Sequence, residues 1–128
     1  MKVSRIEGGL VDARGRIVDI LENEPIEHVT IIESEPGAVR GNHVHHETFQ
    51  WVYVVSGALR FDVCDAGGER HSGVVRAGDL LLTEPGDAHA MECIEAATMV
   101  VLTRGPRGGR NYELDTFRLD EPLIASTR

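Results

Sequence analysis

Apolar positions in this chain come in short runs, each closed by a turn-forming piece. Candidate strands are Arg16–Leu21, Glu27–Glu33, Asn42–His46, Phe49–Ser56, Ala58–Asp65, Glu69–Arg76, Asp79–Thr83, Ala88–Cys93 and Ala97–Arg104. Between them lie Glu35-Pro36-Gly37, Ser56-Gly57, Ala66-Gly67-Gly68, Ala77-Gly78-Asp79 and Glu84-Pro85-Gly86-Asp87, where glycine and proline supply turn geometries that other residues resist. β-Branched residues concentrate inside the runs, as in Val29-Thr30-Ile31-Ile32 and Val52-Tyr53-Val54-Val55, and favour a pleated surface. No segment of helical length carries a capped 3.6-residue stripe. Short, evenly spaced strands of this kind predict an all-β sandwich or barrel of antiparallel strands. The first residues and the tail after Tyr112 are expected to add edge strands or arms exchanged with a partner subunit.

Alternation sorts the side chains. In Phe49–Ser56, Gln50, Val52 and Val54 share one face and Trp51, Tyr53 and Val55 the other, because successive strand residues point to opposite sides. If the first face lines the barrel, two aromatics remain outside, and we expect either a neighbouring strand or the N-terminal arm, or a second copy in a homodimer, to cover them.

Composition changes this picture little. The chain has 128 residues, the size of a single domain (1–128). Its net charge of −8 repels phosphate backbones, so nucleic acid is a poor partner. No apolar run spans a bilayer and no signal-peptide core follows Met1, so no membrane association and a cytoplasmic location are expected. Cys64 and Cys93 have no paired-motif spacing and are read as free thiols.

The six histidines add chemistry. His43 and His45 lie two apart on a predicted strand, so both imidazoles face one side, where neutral nitrogens can converge on a cation; His46 points the other way. Gly37 precedes His43 by six positions, Gln50 follows His45 by five and Gly57 follows Gln50 by seven. Gly78-Asp79, Pro85-Gly86 and His89 continue the pattern. These residues, 37–93, resemble the two signature motifs of the cupin superfamily, G-x5-H-x-H-x3–4-E-x6-G and G-x5-P-x-G-x2-H-x3-N. The resemblance implies a double-stranded β-helix, or jelly-roll, and one divalent metal ion (zinc, iron, nickel or manganese) on His43, His45 and His89. Three positions depart from the pattern. Gln50 replaces a glutamate and offers a weaker, neutral ligand or a hydrogen bond to metal-bound water; Glu84 replaces a proline; Cys93 replaces an asparagine. Glu47 is a reserve ligand if its strand runs straight. Three histidines facing a barrel interior need partners for their nitrogens, and an open coordination position points to catalysis.

A second resemblance narrows the chemistry. Asp12-Ala13-Arg14-Gly15, Val39-Arg40-Gly41-Asn42-His43, Gln50 to Gly57 and Pro85 to His89 are similar to the dTDP-4-dehydrorhamnose 3,5-epimerase group and to cupins of capsule and nucleotide-sugar pathways. The epimerases carry R-G-x-H-x-Q without metal, their histidine acting as base; here His45 occupies the glutamine position. The resemblance implies proton abstraction beside the carbonyl of a small-molecule substrate, a sugar or nucleotide-sugar, giving epimerisation, isomerisation or dehydration. Glu47, Glu84 and Tyr112 are candidate bases. Cys93 shares a strand face with His89 and Met91 and is read chiefly as a small buried hydrophobe. Arg104, Arg107 and Arg110 in a glycine-rich loop are either a solvated turn or a clasp for a diphosphate. Two rival classes stand beside this reading: a dioxygenase using iron, nickel or copper, and a non-catalytic module that binds a sugar or acid.

Overall fold

The computed structural model describes residues 1–106 and 113–126. Among the described residues ten strands follow one another: β1 (Lys2–Arg5), β2 (Leu10–Asp12), β3 (Gly15–Ile17), β4 (His28–Ser34), β5 (Val39–Val44), β6 (Phe49–Cys64), β7 (Arg70–Arg76), β8 (Asp79–Thr83), β9 (Ala88–Arg104) and β10 (Phe117–Arg118). β2 and β3 form a separate hairpin; the other eight join one antiparallel sheet in the order β1-β8-β6-β9-β5-β10, with β4 on β9 and β7 on β6. No described helix is long and apolar enough to cross a membrane.

Two long strands bend this sheet into two layers. The first part of β6 pairs with β8 (Gln50↔Thr83 to Tyr53↔Leu80), and its last part with β7 (Ala58↔Arg76 to Cys64↔Arg70). β9 divides the same way, pairing β5 near its start and β4 near its end. The sequence expectation of two strands on either side of Ser56-Gly57 is therefore corrected. That dipeptide is not a turn but an irregularity within β6, whose register against β9 shifts between Val54 and Leu59. Gly57 has φ +86, and a Cβ there would lie 2.2 Å from the Ala96 carbonyl oxygen. Only a glycine backbone reaches so close at positive φ, so the bulge bends the strand without ending it. The predicted break between Cys93 and Ala97 is likewise absent, and Arg16–Leu21 shrinks to the short hairpin strand β3.

The inward faces of both layers close on Val52, Val54, Leu59, Phe61, Val63, Val75, Leu81, Met99 and Val101. Full burial of each such side chain is worth about 1.5–3 kcal/mol. Cys93 belongs to this cluster and is 2% exposed, as expected of a small hydrophobe, and both cysteines are free thiols. Both chain ends supply edge strands as expected, β1 on β8 and β10 on β5.

Candidate functional site

β5 and β9 bring the histidines together. Their register sets His43 opposite His89, with an irregularity between Gly41 and His43. Gly41 permits the approach: it sits at φ +90, and a Cβ there would meet the His89 carbonyl oxygen at 2.7 Å. β5 ends at Val44, so His45 stands just beyond the strand, where its carbonyl accepts from the Gly86 N–H at 2.8 Å. The ring centroids of His43 lie 4.6 Å from His45 and 4.7 Å from His89, and those of His45 and His89 are 5.1 Å apart. One ring nitrogen from each lies within 4.8 Å of the others. The structure thus joins the three residues that the motif singled out.

Two of these rings have a fixed tautomer. His45 Nδ1 lies 2.7 Å from the Asp115 carbonyl oxygen and His89 Nδ1 lies 3.0 Å from that of Asp87. A carbonyl only accepts, so each Nδ1 carries a proton, and in the neutral ring the lone pair is on Nε2. Neutral imidazoles so arranged form a donor set suited to zinc, iron or nickel; manganese prefers oxygen ligands. Carbonyl anchoring of the second nitrogen is also how metal-binding histidines are commonly held.

A cavity of about 350 Å³ opens beside them. Its apolar wall is built from Ile32, Val52, Leu59, Met91, Met99 and Val101, and its polar positions are Ser34, Arg40, His43, Gln50, His89, Thr116 and Arg118. His43 is partly exposed, whereas His45 is 2% exposed and stands behind the lining. Arg40 donates to the Ser34 hydroxyl at 2.7 Å and to the Glu33 carbonyl. Gln50 faces inward as alternation required and is 7% exposed. Thr83 and Thr103 stand opposite it on β8 and β9. The Gln50 carboxamide oxygen and both threonine hydroxyls have no hydrogen-bond partner among the described residues. Of the three, Gln50 lines the cavity, where a neutral carboxamide able to donate and accept suits a ligand hydroxyl.

The candidate bases are not brought in. Glu47 is exposed beyond the end of β5 and contributes its backbone N–H to Asp115; the strand does not continue straight, so Glu47 does not join His43 and His45. Glu84, in the turn after β8, is exposed on a different hollow that holds Met1 and Asp87. Tyr112 lies outside the described residues, as do Arg107 and Arg110. Among the described residues no carboxylate lines the cavity. Arg104 is engaged elsewhere, 2.6 Å from Glu24 and stacked 4.2 Å above the Phe49 ring.

Asp115 was not anticipated. It is 2% exposed, and its carboxylate accepts from the His46 N–H at 2.8 Å, the Glu47 N–H at 3.0 Å and the Thr48 hydroxyl at 2.7 Å. Burial works against its charge, but these three bonds outweigh burial, and with the nearby His45 they hold the carboxyl below its ordinary range. Asn42 was missed as well. It sits at φ +57, donates to the Ile124 carbonyl and accepts from the Leu123 and Ile124 N–H groups.

The cupin domain family's sequence pattern matches residues 30–103. The chain belongs to the cupin family. Among solved structures, this cupin is similar to the TDP-quinovose 3,4-ketoisomerase WlaRB of Campylobacter jejuni, with 20% identity, TM-score 0.75 and 91% of each chain covered. A variant of the 3,4-ketoisomerase QdtA of Thermoanaerobacterium thermosaccharolyticum, in complex with TDP-4-keto-6-deoxyglucose, superimposes at TM-score 0.73 with 18% identity, covering 91% of this cupin and 86% of that chain. For dTDP-4-dehydrorhamnose 3,5-epimerase of Sulfolobus tokodaii the figures are 0.70 and 16%, with 84% and 70% covered. No curated protein matches the sequence. At these identities the likeness is one of fold, and the described architecture is the cupin jelly-roll.

Proposed function

We propose that this cupin is an isomerase or epimerase of a keto-sugar carried on a nucleotide diphosphate, with His43 as the proton-abstracting base. The observation that carries this reading is the content of the cavity: imidazoles, neutral hydrogen-bonding groups and two arginines, with no carboxylate among the described lining residues. A base must stand within reach of the substrate carbon, and His43 is the imidazole that both lines the cavity and remains partly exposed. His43 would take the proton from the carbon beside the carbonyl while the C–H electron pair forms a C=C bond and the carbonyl π pair moves onto its oxygen. Return of that proton to the former carbonyl carbon, with a hydroxyl proton passing between the neighbouring oxygens, moves the carbonyl by one position. Gln50, which lines the cavity, would hold a sugar hydroxyl, and Arg40 and Arg118 are the lining cations that would meet the diphosphate. The similar folds of two sugar 3,4-ketoisomerases and an epimerase support the substrate class.

The test uses a TDP-linked 4-keto-6-deoxy sugar in deuterated water. Wild-type protein should wash deuterium into the sugar beside the carbonyl, and His43→Asn should do so about 10²–10⁴-fold more slowly. Equal exchange rates would remove His43 as the base.

The close approach of three ring nitrogens favours a second reading, in which one divalent ion rests on His43, His45 and His89 with Gln50 beside it. Such an ion would supply Lewis-acid activation of a carbonyl, or dioxygen chemistry if it were iron, nickel or copper. The readings compete for the same lone pair, because a ligated His43 cannot take a proton. Elemental analysis of untagged protein separates them: about one equivalent of metal, lost in His43→Ala/His45→Ala, would favour the metal centre.

The proposed partner is a second copy of this chain. Val29, Leu102, Trp51 and Leu82 form one cross-strand row on the outer face, and Ile31, Val100, Tyr53 and Leu80 form the next. An apolar face whose Val29 and Ile31 are well exposed could pair with its copy in a two-fold dimer, while the net charge of −8 keeps other faces of two copies apart.

A further inference from the structure

His43 and His89 are held by strand pairing, and the His89 ring is anchored by a carbonyl two residues away. His45 differs. It lies past the end of β5, and its ring is anchored by a residue seventy positions later in the chain. We infer that Asp115 is a positioning residue: its carboxylate gathers residues 46–48 so that its own carbonyl fixes the ring and tautomer of His45. The inference rests on the histidine-site reading above, whether that site acts as base or metal centre.

The atoms divide the work. The Asp115 carbonyl accepts a hydrogen bond from His45 Nδ1–H, and both carboxylate oxygens accept from the next residues, Oδ1 from the His46 N–H and Oδ2 from the Glu47 N–H and the Thr48 hydroxyl. A carboxylate is needed because all three side-chain bonds are accepted, and an amide would turn one oxygen into a donor facing donors. Thr48 and His45, at 1% and 2% exposure, are as buried as Asp115 itself, so water cannot stand in for a lost bond without opening the packing. Two residues on, β10 pairs Phe117 with Val44 and Arg118 with His43, and Thr116 and Arg118 line the cavity. The segment that orients His45 is therefore also a wall of the site.

The test reads the tautomer of His45 directly, by nitrogen-15 NMR of the imidazoles in the full chain above the pH at which they titrate. Wild-type protein should show a protonated Nδ1 and a bare Nε2. Asp115→Ala and the isosteric Asp115→Asn should each give a mixture of both tautomers, and Thr48→Val, which removes one bond, a smaller mixture. Backbone amide spectra establish that the variants are folded; if Asp115→Ala does not fold, Asp115→Asn and Thr48→Val carry the test. A single Nδ1–H tautomer retained in a folded Asp115→Asn variant would overturn the inference. Zinc titration separates this from the functional reading. If wild type binds zinc, Asp115→Asn should weaken it about 10–100-fold, and unchanged affinity would also count against Asp115. If wild type binds none, the metal centre falls while the tautomer still decides the role of Asp115.

Discussion

An imidazole whose Nδ1–H is given to a carbonyl has one nitrogen left for chemistry, and His45 and His89 are both in that state. His43, facing the cavity between them, is the ring on which the two functional readings divide. At the same scale, Gly57 makes a sharp backbone prediction. Gly57→Ala places a methyl group against the Ala96 carbonyl and Ala97 Cα, 2.2 and 2.6 Å away, at φ +86. Strain of this kind costs about 1–3 kcal/mol before the clash is relieved, so urea denaturation should show at least that loss. An unchanged midpoint would mean that the bulge is softer than it looks. The histidines were legible in the sequence because H-x-H and P-G-x2-H are local spacings, although His45 stands just past the strand that was expected to carry it. Asp115 was not, since a backbone carbonyl serving a ring seventy residues earlier leaves no mark on local pattern. Glu47 misled because its place on the site's face assumed a strand that in fact stops at Val44.

At the scale of elements, strand existence was readable and strand continuity was not. Gly57 reads as a turn in sequence because a positive-φ glycine serves a hairpin and a bulge equally well. The register of β6 on β9, which decides between them, is set by packing of the whole strand. The C-terminal segment is tied to β5 chiefly at Asn42, which combines a left-handed backbone with three side-chain bonds. Asn42→Ala should therefore cost about 4–5 kcal/mol, from about 1 kcal/mol for each of the three lost bonds plus about 1–2 kcal/mol for the left-handed backbone. Denaturant titration checks this, and a loss below about 1 kcal/mol would show the segment to be held mainly elsewhere. The β6–β7 hairpin offers a pH signature. Asp65 accepts from His71 and from the backbone of Glu69 and Gly67, and these bonds hold its carboxyl below the ordinary 3.8. A lowered folded-state value stabilises the protein above the unfolded value, and that contribution fades as the pH falls through the folded one. The difference in Tm between wild type and Asp65→Asn should thus narrow as the pH drops below 3.8; a constant difference would mean that charge plays no part.

For the whole molecule, the outer face of the β1-β8-β6-β9-β4 layer bears on assembly. Val29 and Ile31 on the edge strand β4 are 66% and 68% exposed, whereas Trp51 in the middle of the same face is 5% exposed, with Phe49 and Arg104 beside it. Trp51 is thus already covered within the chain, one of the two ways of covering these aromatics that the strand alternation left open. The apolar surface runs to the edge of the layer, where a charge should be most disruptive. Light scattering after size exclusion should give twice the chain mass for wild type and the single-chain mass for Ile31→Glu. A monomeric wild type would sink the dimer.

The long pairing of β6 with β9 also bears on how the chain reaches this structure. Cys64 meets Ala88 at one end of the ladder and Phe49 meets Arg104 at the other, so every rung encloses β7 and β8. No rung can form until that intervening chain has been brought round, and the loop entropy is spent before most of the pairing repays it. Folding should accordingly take milliseconds to seconds rather than microseconds. Once closed, the same ladder is what must break for the barrel to open, so the slowest amides to exchange with solvent should be those of β6 and β9. The strands that aim the histidines are then also the last to let them go.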